Sequence, residues 1–329
     1  MTTRSVESLS WRSIADKRRI GDGLRRVERR LAECATAYPG LLAEAGASTL
    51  NAGGKRLRPL LVLLCARRSA SPTGALVHAA TAVELLHMAT LVHDDVLDRA
   101  ELRRGCPTVA YAMGADAAVS VGNYLLARAF SEVAATDSGP AVDVLSSVSL
   151  GLSEGEILQM EEAYRIDLRE DEYFRRCEAK TAGLFEAACR LGAMLSGCAP
   201  ETVAAVGGYG RALGIAFQIF DDVLDVRGDE SRTGKRLGVD LRDGTVTLPL
   251  ILALRTRPEL GPCFAGRPAA EAEIEALIVA VRASGALEQA HSVAVGYVDE
   301  ARGCLAGCSD EIEVDLLDEL AGSVVDRFS

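Results

Sequence analysis

Apolar residues recur every three or four positions over most of this chain, which is the period of an amphipathic α-helix. No stretch sustains the strict alternation of apolar and polar residues that marks a half-buried strand. The periodicity predicts helices over 6–36, 40–48, 59–66, 76–102, 115–135, 139–165, 170–197 and 202–227, with about four more after residue 248. The sequence therefore predicts an all-α fold, and the lack of a linker or low-complexity tract favours a single domain over 1–329.

Composition and charge exclude several classes of protein. With 329 residues, 49% of them hydrophobic, the chain can bury a large core. Its net charge of −11 argues against a nucleic-acid partner, because nucleic-acid surfaces normally carry a basic excess. The apolar runs are shorter than the roughly 20 residues of a membrane span, and the basic N-terminal region lacks the apolar core of a secretory signal. We therefore expect a cytoplasmic protein without a transmembrane segment.

Three aspartates lie close together near the end of the predicted helix 76–102. Asp94 and Asp98 are four residues apart, so their side chains lie one turn above the other, and Asp95 lies on the adjacent flank. Like charges placed this way repel each other, and Mg²⁺ is a suitable counter-ion because one or two carboxylates can hold it beside phosphate oxygens. An ordinary solvated acidic face is the alternative, and the spacing alone does not choose between the two.

The same pentapeptide, DDVLD, occurs at 94–98 and again at 221–225. A DDxxD pattern is expected by chance on the order of a tenth of a time in such a chain, so its recurrence favours a function. Gln218 lies one turn before Asp221 on the same stripe. We infer two inner helices that face each other across a bundle cavity, where a cluster of three Mg²⁺ ions could hold a diphosphate leaving group.

Lysine is scarce, since the chain has only Lys17, Lys55, Lys180 and Lys235 and otherwise uses arginine. A lysine ammonium reaches a phosphate as a flexible point charge, so each retained lysine is a candidate ligand. Lys55 follows a Gly-Gly turn at a helix start, which suits an anion. Lys180 stands in an apolar run, where it is costly without an anion. Lys235 lies with Asp240 in a loop over 228–247, rich in glycine and charge, that could close over a phosphate.

Other polar residues lie close to the first acidic segment. His87 lies on the Asp94 stripe, about two turns earlier, so we expect it to contact substrate, whereas we expect His93 to be structural. We expect the helix to continue past the acidic residues until Gly105 and Pro107 stop it, with Arg103 and Arg104 in the turn.

These segments together resemble the signature segments of the trans-isoprenyl diphosphate synthases, or polyprenyl synthetases. The resemblance covers 53–59, 84–105, 180–181, 217–225 and 234–249, in the family's order. It implies an all-helical bundle around a deep central cavity, usually as a homodimer. It also implies that the protein condenses an allylic diphosphate with isopentenyl diphosphate by ionisation, attack of the double bond on the carbocation, and proton loss to the released diphosphate.

The resemblance further implies roles for individual residues. Isopentenyl diphosphate would be bound by Lys55, Arg58, His87 and Arg104. The allylic diphosphate would be held by Arg103, Lys180, Thr181, Gln218 and Lys235, with Arg103, Lys180 and Lys235 as the catalytic cations. The main Mg²⁺ ligands would be Asp94, Asp98 and Asp221, supported through water by Asp95, Asp222 and Asp225.

The resemblance also bears on product length. In short-chain members, bulky residues four and five positions before the first aspartate close the cavity floor, and here those positions are Thr90 and Ala89. Such small residues predict a medium or long product, roughly C30 to C50. Thr245 stands where shorter-chain relatives often have lysine, which leans the same way and leaves one diphosphate contact in question. Asn123 replaces a usual aspartate, for which we expect only a structural effect.

Three alternatives remain from the sequence. The first is a short-chain synthase that makes farnesyl or geranylgeranyl diphosphate. The second is a class I terpene synthase, although such enzymes normally lack the GGKRLRP-like segment and a second full DDxxD. The third is a partner subunit of a heteromeric synthase, although the acidic motifs of such subunits are usually damaged and both are intact here.

Overall fold

The computed structural model describes residues 18–69, 71, 73–228, 237–266 and 270–328. The structure is 77% helical, with almost no strands in these described residues, which confirms the all-α prediction. The helices are α1 (Arg18–Ala35), α2 (Leu41–Asn51), α3 (Leu57–Leu64), α4 (Gly74–Leu97), α5 (Val109–Met113), α6 (Ala115–Ala134), α7 (Gly139–Glu161), α8 (Glu170–Cys177), α9 (Gly183–Leu195), α10 (Pro200–Arg227), α11 (Val239–Arg242), α12 (Leu248–Thr256), α13 (Glu271–Ala283), α14 (Ala286–Cys304) and α15 (Val314–Phe328).

Short elements of other types complete the described chain. A π-helical turn, Glu178–Ala182, joins α8 to α9, and a 3₁₀ helix, Pro258–Cys263, follows α12. Within the described ranges, β structure is limited to an antiparallel hairpin of two-residue strands, β1 (Leu102–Arg103) and β2 (Cys106–Pro107).

The described chain divides into two compact units. The first comprises the residues up to Ser149 together with Leu184–Gly210 and Cys304–Ser323. The second comprises Leu150–Gly183, Arg211–Gly303 and the residues from Val324 onward.

Helix α4 forms the centre of the first unit. It begins at Thr73, whose side chain accepts a hydrogen bond from the backbone N–H of Leu76 at 3.2 Å and so caps the helix. The helix is apolar around much of its circumference and mostly buried from Leu76 to Ala89, because it packs against α6, and also against α3 and α1. The aspartate-bearing segment follows at its less buried C-terminal end.

The end of α4 differs from the prediction, since the helix ends at Leu97 and not at residue 102. Arg99 takes a left-handed conformation, with φ of 50°. Its N–H bonds to the carbonyl of Val96, and the N–H of Ala100 bonds to that of Asp95. These two bonds form a Schellman motif, which usually has glycine at the left-handed position. The glycine and proline that were expected to stop the helix lie instead in the hairpin.

The second unit has its own core, built around the second half of α10. Its largest fully buried aromatic side chains are Tyr173, Phe220 and Phe264. Helix α12 packs against α8, α13 and the 3₁₀ helix. The predicted helix 170–197 is thus interrupted by the π-helical turn, and the expected loop 228–247 contains the short helix α11.

Two helices, α4 and α10, are long and apolar enough to cross a membrane by length and composition alone. The most apolar windows of these helices are 72% and 61% buried inside the protein. Core helices of soluble proteins pass the same test, so this is weak evidence for a membrane span.

Candidate active site

The first acidic segment lies at the C-terminal end of α4, and its three aspartates differ in environment. Asp94 is half-buried, Asp95 is buried, and Asp98 is exposed at the helix C-cap. The N–H of Asp98 still bonds to the carbonyl of Asp94 at 2.8 Å, so these two side chains keep the one-turn spacing predicted from the sequence.

Asp95 is engaged by an arginine from the hairpin. The Nε of Arg103 donates a hydrogen bond of 2.7 Å to Asp95 Oδ1. Burial raises the pKa of Asp95, and the charge and hydrogen bond of Arg103 oppose this rise. The carboxylate of Asp95 is thus held against the guanidinium of Arg103 inside the protein, while Asp98 is exposed at the helix end.

The hairpin holds the two arginines that the sequence placed in a turn. Arg104 and Gly105 both have positive φ, 54° and 78°, which is the conformation required by a type I′ two-residue hairpin. Arg103 pairs with Cys106 across the hairpin, and the guanidinium of Arg104 donates to the backbone carbonyl of Gly53. The hairpin thus ties the arginine pair to the Gly-Gly turn before α3.

An open pocket lies beside these residues in the first unit and spans about 540 Å³, part of which is open to solvent. The charged or titratable groups that line it are Arg56, Glu84, His87, Asp95, Arg103 and Arg104. The three arginines outnumber the two carboxylates, so the pocket carries a positive excess, and it contains four of the residues predicted to lie at the site.

The imidazole of His87 is held neutral by this environment. Burial and then the charges of Arg58, Arg104, Arg103 and Arg56 lower its pKa well below the usual value. A neutral imidazole can donate one N–H to an anion without adding to the repulsion among the arginines.

Arg58 lies behind the pocket in a costly environment for a cation. Burial lowers its pKa to about 10, and the charge of Glu84 limits that fall. Its guanidinium lies over the ring of Phe185, at 5.0 Å from the centroid. Its Nε is buried and has no hydrogen-bond partner among the described residues. Arg58 stays protonated near neutral pH with unsatisfied donor capacity, which suits anion binding.

Two charged residues of the pocket were missed by the sequence reasoning. Arg56 has φ of 50° and lies at the start of α3, where it forms ion pairs with Glu84 at 3.0 Å and Glu28 at 2.7 Å. Glu84 is buried and compensates part of the arginine charge. A glutamate inside the apolar stretch of α4 was the available signal, because a buried carboxylate requires a cationic partner. Lys55, by contrast, is exposed.

The second acidic segment lies near the C-terminal end of α10, in the second unit. Asp221 is exposed, while Asp222 is only 2% exposed. Both carboxylate oxygens of Asp222 accept hydrogen bonds, from the hydroxyl of Tyr173 at 2.6 Å and from Gln218 Nε2 at 2.8 Å. Burial raises the pKa of Asp222 to about 7 even though both hydrogen bonds oppose the rise. Asp221 is thus the residue of this segment with the most accessible carboxylate.

Asp225 is used by the backbone of the following loop. Its two oxygens accept from the N–H groups of Val239 at 3.0 Å and Asp240 at 3.1 Å, at the start of α11. Burial is the main cause that raises the pKa of Asp225 to about 6. The pKa of Asp240 is raised well above its usual value by burial and by the charges of Asp225, Asp222 and Asp221. Asp240, which the sequence reasoning placed only in a loop, therefore belongs to this acidic cluster.

Lys180 and Thr181 lie in the π-helical turn and contact different helices. Lys180 Nζ forms an ion pair with Glu156 at 2.6 Å and donates to Gln159 Oε1 at 2.9 Å, both on α7. The hydroxyl of Thr181 donates to Gln218 Oε1 on α10 at 2.7 Å. A π-helical turn inserts an extra residue into a helix and is frequent at functional sites.

Glu156 is a further residue that the sequence reasoning missed. It reaches Lys180 because α7 lies close to the π-helical turn at Gly155. A Cβ at Gly155 would be only 2.8 Å from the backbone nitrogen of Lys180. The sequence signal was the Gly155-Glu156 pair, because Glu156 lies one helical turn before Gln159.

The remaining predicted residues are placed as follows. Ala89 is buried on α4, and Thr90 is half-buried with its hydroxyl bonded to the carbonyl of His87 at 2.9 Å. His93 packs against Gly122 of α6, in agreement with the structural role expected for it. Lys235 lies outside the described residues.

The acidic residues of the second unit suit a hard divalent cation, because several carboxylates lie close together there: burial is the main cause that raises the pKa values of Asp222 and Asp240, and neighbouring carboxylate charges add to it. In the described part of the chain, no three His, Cys, Asp or Glu side chains form a closed metal site. Mg²⁺ does not need one, since it is commonly held by one or two carboxylates together with water and substrate phosphates.

Comparisons with known proteins give a consistent assignment. The model of the polyprenyl synthetase family matches residues 39–281. Over 303 residues the chain is 38% identical to heptaprenyl diphosphate synthase component 2 of Geobacillus stearothermophilus, covering 92% of this chain and 95% of that protein. It is 36% identical over 294 residues to geranylgeranyl diphosphate synthase of Methanosarcina mazei, covering 88% and 90%.

A solved structure is similar over nearly the whole chain. The crystal structure of a polyprenyl synthase from Caulobacter crescentus, complexed with calcium and isoprenyl diphosphate, superposes with a TM-score of 0.89. The two chains are 33% identical, and the superposition covers 97% of this chain and 98% of the other.

Proposed function

The chain belongs to the polyprenyl synthetase family, and from that premise we propose that it is a trans-prenyltransferase that joins an allylic diphosphate to isopentenyl diphosphate. The product is an all-trans polyprenyl diphosphate of medium or long chain. The observation that carries the proposal is the cationic pocket of the first unit, in which several arginines surround the neutral His87 beside an aspartate-bearing helix end.

We propose that this pocket binds the diphosphate of isopentenyl diphosphate. Arg58 and Arg104 supply the charge, His87 supplies an N–H, and the exposed Lys55 contributes a mobile ammonium. Arg56 and Glu84 hold the arginine cluster together when no anion is present.

The allylic diphosphate would be held by the other set of residues, Arg103, Lys180, Thr181, Gln218 and Lys235. Lys180 forms an ion pair with Glu156, and we propose that it exchanges this carboxylate for a phosphate oxygen of the substrate. The hydroxyl proton of Thr181 is committed to Gln218, so its oxygen presents lone pairs to a ligand.

The proposed reaction has three steps. The allylic C–O bond breaks and its electron pair leaves with the diphosphate, which the surrounding cations stabilise. The double bond of isopentenyl diphosphate attacks the carbocation and forms the new C–C bond. A proton then leaves the adjacent carbon to restore an alkene, and the released diphosphate is the base that takes it. No histidine or carboxylate of the chain is required for that step.

Members of this family use a divalent metal ion, and we propose Mg²⁺, about three ions with a bound diphosphate. Asp94, Asp98 and Asp221 would be its direct ligands. Asp95, Asp222 and Asp225 would act through water or by orienting neighbours, because their oxygens are engaged by protein donors. When bound, the metal supplies positive charge to the departing diphosphate oxygens.

The proposal of a medium or long product is supported by the similarity to a heptaprenyl diphosphate synthase component and by the small residues Ala89 and Thr90. A short-chain product, farnesyl or geranylgeranyl diphosphate, is the alternative, because a geranylgeranyl diphosphate synthase is almost as similar. A class I terpene synthase is a more distant alternative, since it has no use for an isopentenyl diphosphate pocket.

We also propose that the enzyme is a cytoplasmic homodimer. Support for self-association comes from exposed apolar side chains on α7, which include Leu150, Ile157 and Met160. A relative of this chain is named component 2 of its synthase. Activity of the purified chain alone therefore tests whether a different partner subunit is needed.

The test is incubation of the purified chain with Mg²⁺, labelled isopentenyl diphosphate and farnesyl diphosphate, followed by chromatography of the products. Incorporation of label into chains of roughly C30 to C50, abolished by a chelator, is expected. Products that stop at C20 would favour the short-chain alternative. A cyclic hydrocarbon without label would favour a terpene synthase, and a complete lack of incorporation would refute the synthase assignment.

A further inference from the structure

Tyr173 stands at one end of a series of three hydrogen bonds in the second unit. Its hydroxyl donates to Asp222 Oδ2 at 2.6 Å. The other oxygen of Asp222 accepts from Gln218 Nε2 at 2.8 Å. The carbonyl oxygen of Gln218 accepts from the hydroxyl of Thr181 at 2.7 Å. The series therefore connects α8 to the π-helical turn through two side chains of α10.

Asp222 determines which groups in this series donate and which accept. Both oxygens of Asp222 accept hydrogen bonds, one from the Tyr173 hydroxyl and the other from Gln218, so the amide nitrogen of Gln218 is turned toward Asp222. The amide oxygen then faces Thr181, whose hydroxyl must donate. Asp222 orients Gln218, and Gln218 in turn fixes the direction in which the Thr181 oxygen presents its lone pairs.

Tyr173 holds Asp222, the residue that orients Gln218, in place. Asp222 is almost fully buried, and its second oxygen would have no partner in this series without the phenol. A buried acceptor that loses its donor either rotates or recruits water, because the unsatisfied state is costly. Either change would release Gln218 from its single orientation.

We propose that Tyr173 is a positioning residue of the prenyl transfer reaction, which acts on the allylic substrate through Asp222, Gln218 and Thr181. The inference rests on the proposed function and adds to it a residue that touches neither substrate nor metal. It also assigns Asp222 to the orientation of Gln218 more than to metal coordination.

A second buried tyrosine of the chain provides a matched control. Tyr209 lies on α10, is fully buried, and its hydroxyl donates to the backbone carbonyl of Leu317 at 2.7 Å. Tyr209→Phe and Tyr173→Phe each remove a buried hydroxyl and, with it, a hydrogen bond of similar length, 2.7 Å to Leu317 and 2.6 Å to Asp222. They should therefore destabilise the fold to a similar degree, while only Tyr173 is connected to Thr181.

The experiment compares the two variants with the wild-type chain by steady-state kinetics and by thermal unfolding. We expect Tyr173→Phe to lower kcat/KM for the allylic substrate by about 10-fold, with the KM for isopentenyl diphosphate changed less than about 2-fold. Tyr209→Phe should leave both parameters unchanged. Equal effects of the two variants, or a wild-type rate in Tyr173→Phe, would overturn the inference.

A double-mutant cycle with Gln218→Ala tests the route of the effect. If Tyr173 acts through Gln218, adding Tyr173→Phe to Gln218→Ala should change kcat/KM by less than about 2-fold. A full additive loss would show that Tyr173 acts by another route. A wild-type chain that makes no product would refute the proposed function and this inference together, whereas normal wild-type turnover with additive variants would refute the inference alone.

Discussion

His93 occupies a space that exists because α6 has no side chain at Gly122. A Cβ at that position would lie 2.2 Å from His93 Nε2, well inside any allowed contact. The residue is therefore part of the packing of α4 on α6, although it directly precedes the aspartates.

Gly122→Ala should destabilise the protein by about 1–3 kcal/mol, because the imidazole must move out of a packed interface. In a helix without this contact, the same change would stabilise by up to about 1 kcal/mol. We therefore expect the sign to reverse in a His93→Ala background, as measured by chemical denaturation. The same sign in both backgrounds would contradict the contact.

Ala89 is the residue to which the product length is assigned, and it is buried on α4. Ala89→Phe should shift the products toward shorter chains, because we propose that Ala89 lies at the floor of the product cavity, where a ring would shorten the space for the chain. Chromatography of the labelled products measures the shift. Ala89→Ser, which changes polarity with little added volume, should keep the wild-type distribution.

The thermal stability of Ala89→Phe separates two explanations. A ring that enters an open channel should cost little stability, whereas a ring forced into a packed core costs about 1–3 kcal/mol. An unchanged product distribution in a stably folded Ala89→Phe would show that the channel floor lies elsewhere.

At the scale of helices, Glu132 links three elements through one buried carboxylate. It accepts two hydrogen bonds from Arg30 of α1, at 2.8 and 2.9 Å, and contacts His78 Nδ1 of α4 at 2.7 Å. Burial alone would raise the pKa of Glu132, but the hydrogen bonds from Arg30, His78 and Cys34 outweigh it and leave the pKa below 4.5.

Glu132→Gln should destabilise the protein by about 3 kcal/mol, because the buried partners lose their counter-charge. A depressed pKa contributes stability above the unfolded value and loses it as the pH falls. The advantage of the wild type should therefore be full at neutral pH and shrink below about pH 4.5, in denaturation experiments over a pH series. Glu33→Gln, which removes an exposed partner of the same Arg30, should cost less than about 1 kcal/mol at any pH.

Helix α7 approaches the π-helical turn closely at one glycine and not at another. Gly155→Ala would place a Cβ 2.8 Å from the backbone of Lys180, whereas nothing lies within 4 Å of a Cβ at Gly151. Gly155→Ala should lower activity and stability together, because it separates Glu156 from Lys180. Gly151→Ala, on the same helix, should stabilise by about 0.5–1 kcal/mol and keep full activity. Similar behaviour of the two variants in parallel assays of turnover and unfolding would contradict this packing.

The helices were largely predictable from the sequence because apolar spacing determines them, but their irregularities were not. Arg99 ends α4 in a conformation normally marked by glycine, so the sequence carried no stop signal there. The π-helical turn adds one residue to a regular period, which a 3.6-residue pattern cannot resolve. The DDVLD repeat identified the acidic residues, but the hydrogen bonds of Asp222 depend on Tyr173, 49 positions away, and only the folded chain reveals them.

At the scale of the whole molecule, the open question is what covers the apolar side chains of α7. Leu150 and Ile157 are 65% and 55% exposed, and they lie two turns apart on one helix face with Met160 one turn further. Single exposed apolar residues are common on protein surfaces, but a row of them along one helix marks an interaction site. A second copy of the chain is the partner that we propose.

Replacing Leu150 and Ile157 together by aspartate should therefore raise the dimer dissociation constant by about 100-fold or more, because two apolar anchors become charged in a dry interface. Sedimentation equilibrium over a concentration series measures the constant directly. Val279→Asp is the matched control, since Val279 is 65% exposed but stands alone on α13, and its replacement should leave the constant unchanged. A wild-type chain that stays monomeric at high concentration, or a double variant that dimerises normally, would show that the row on α7 serves another partner.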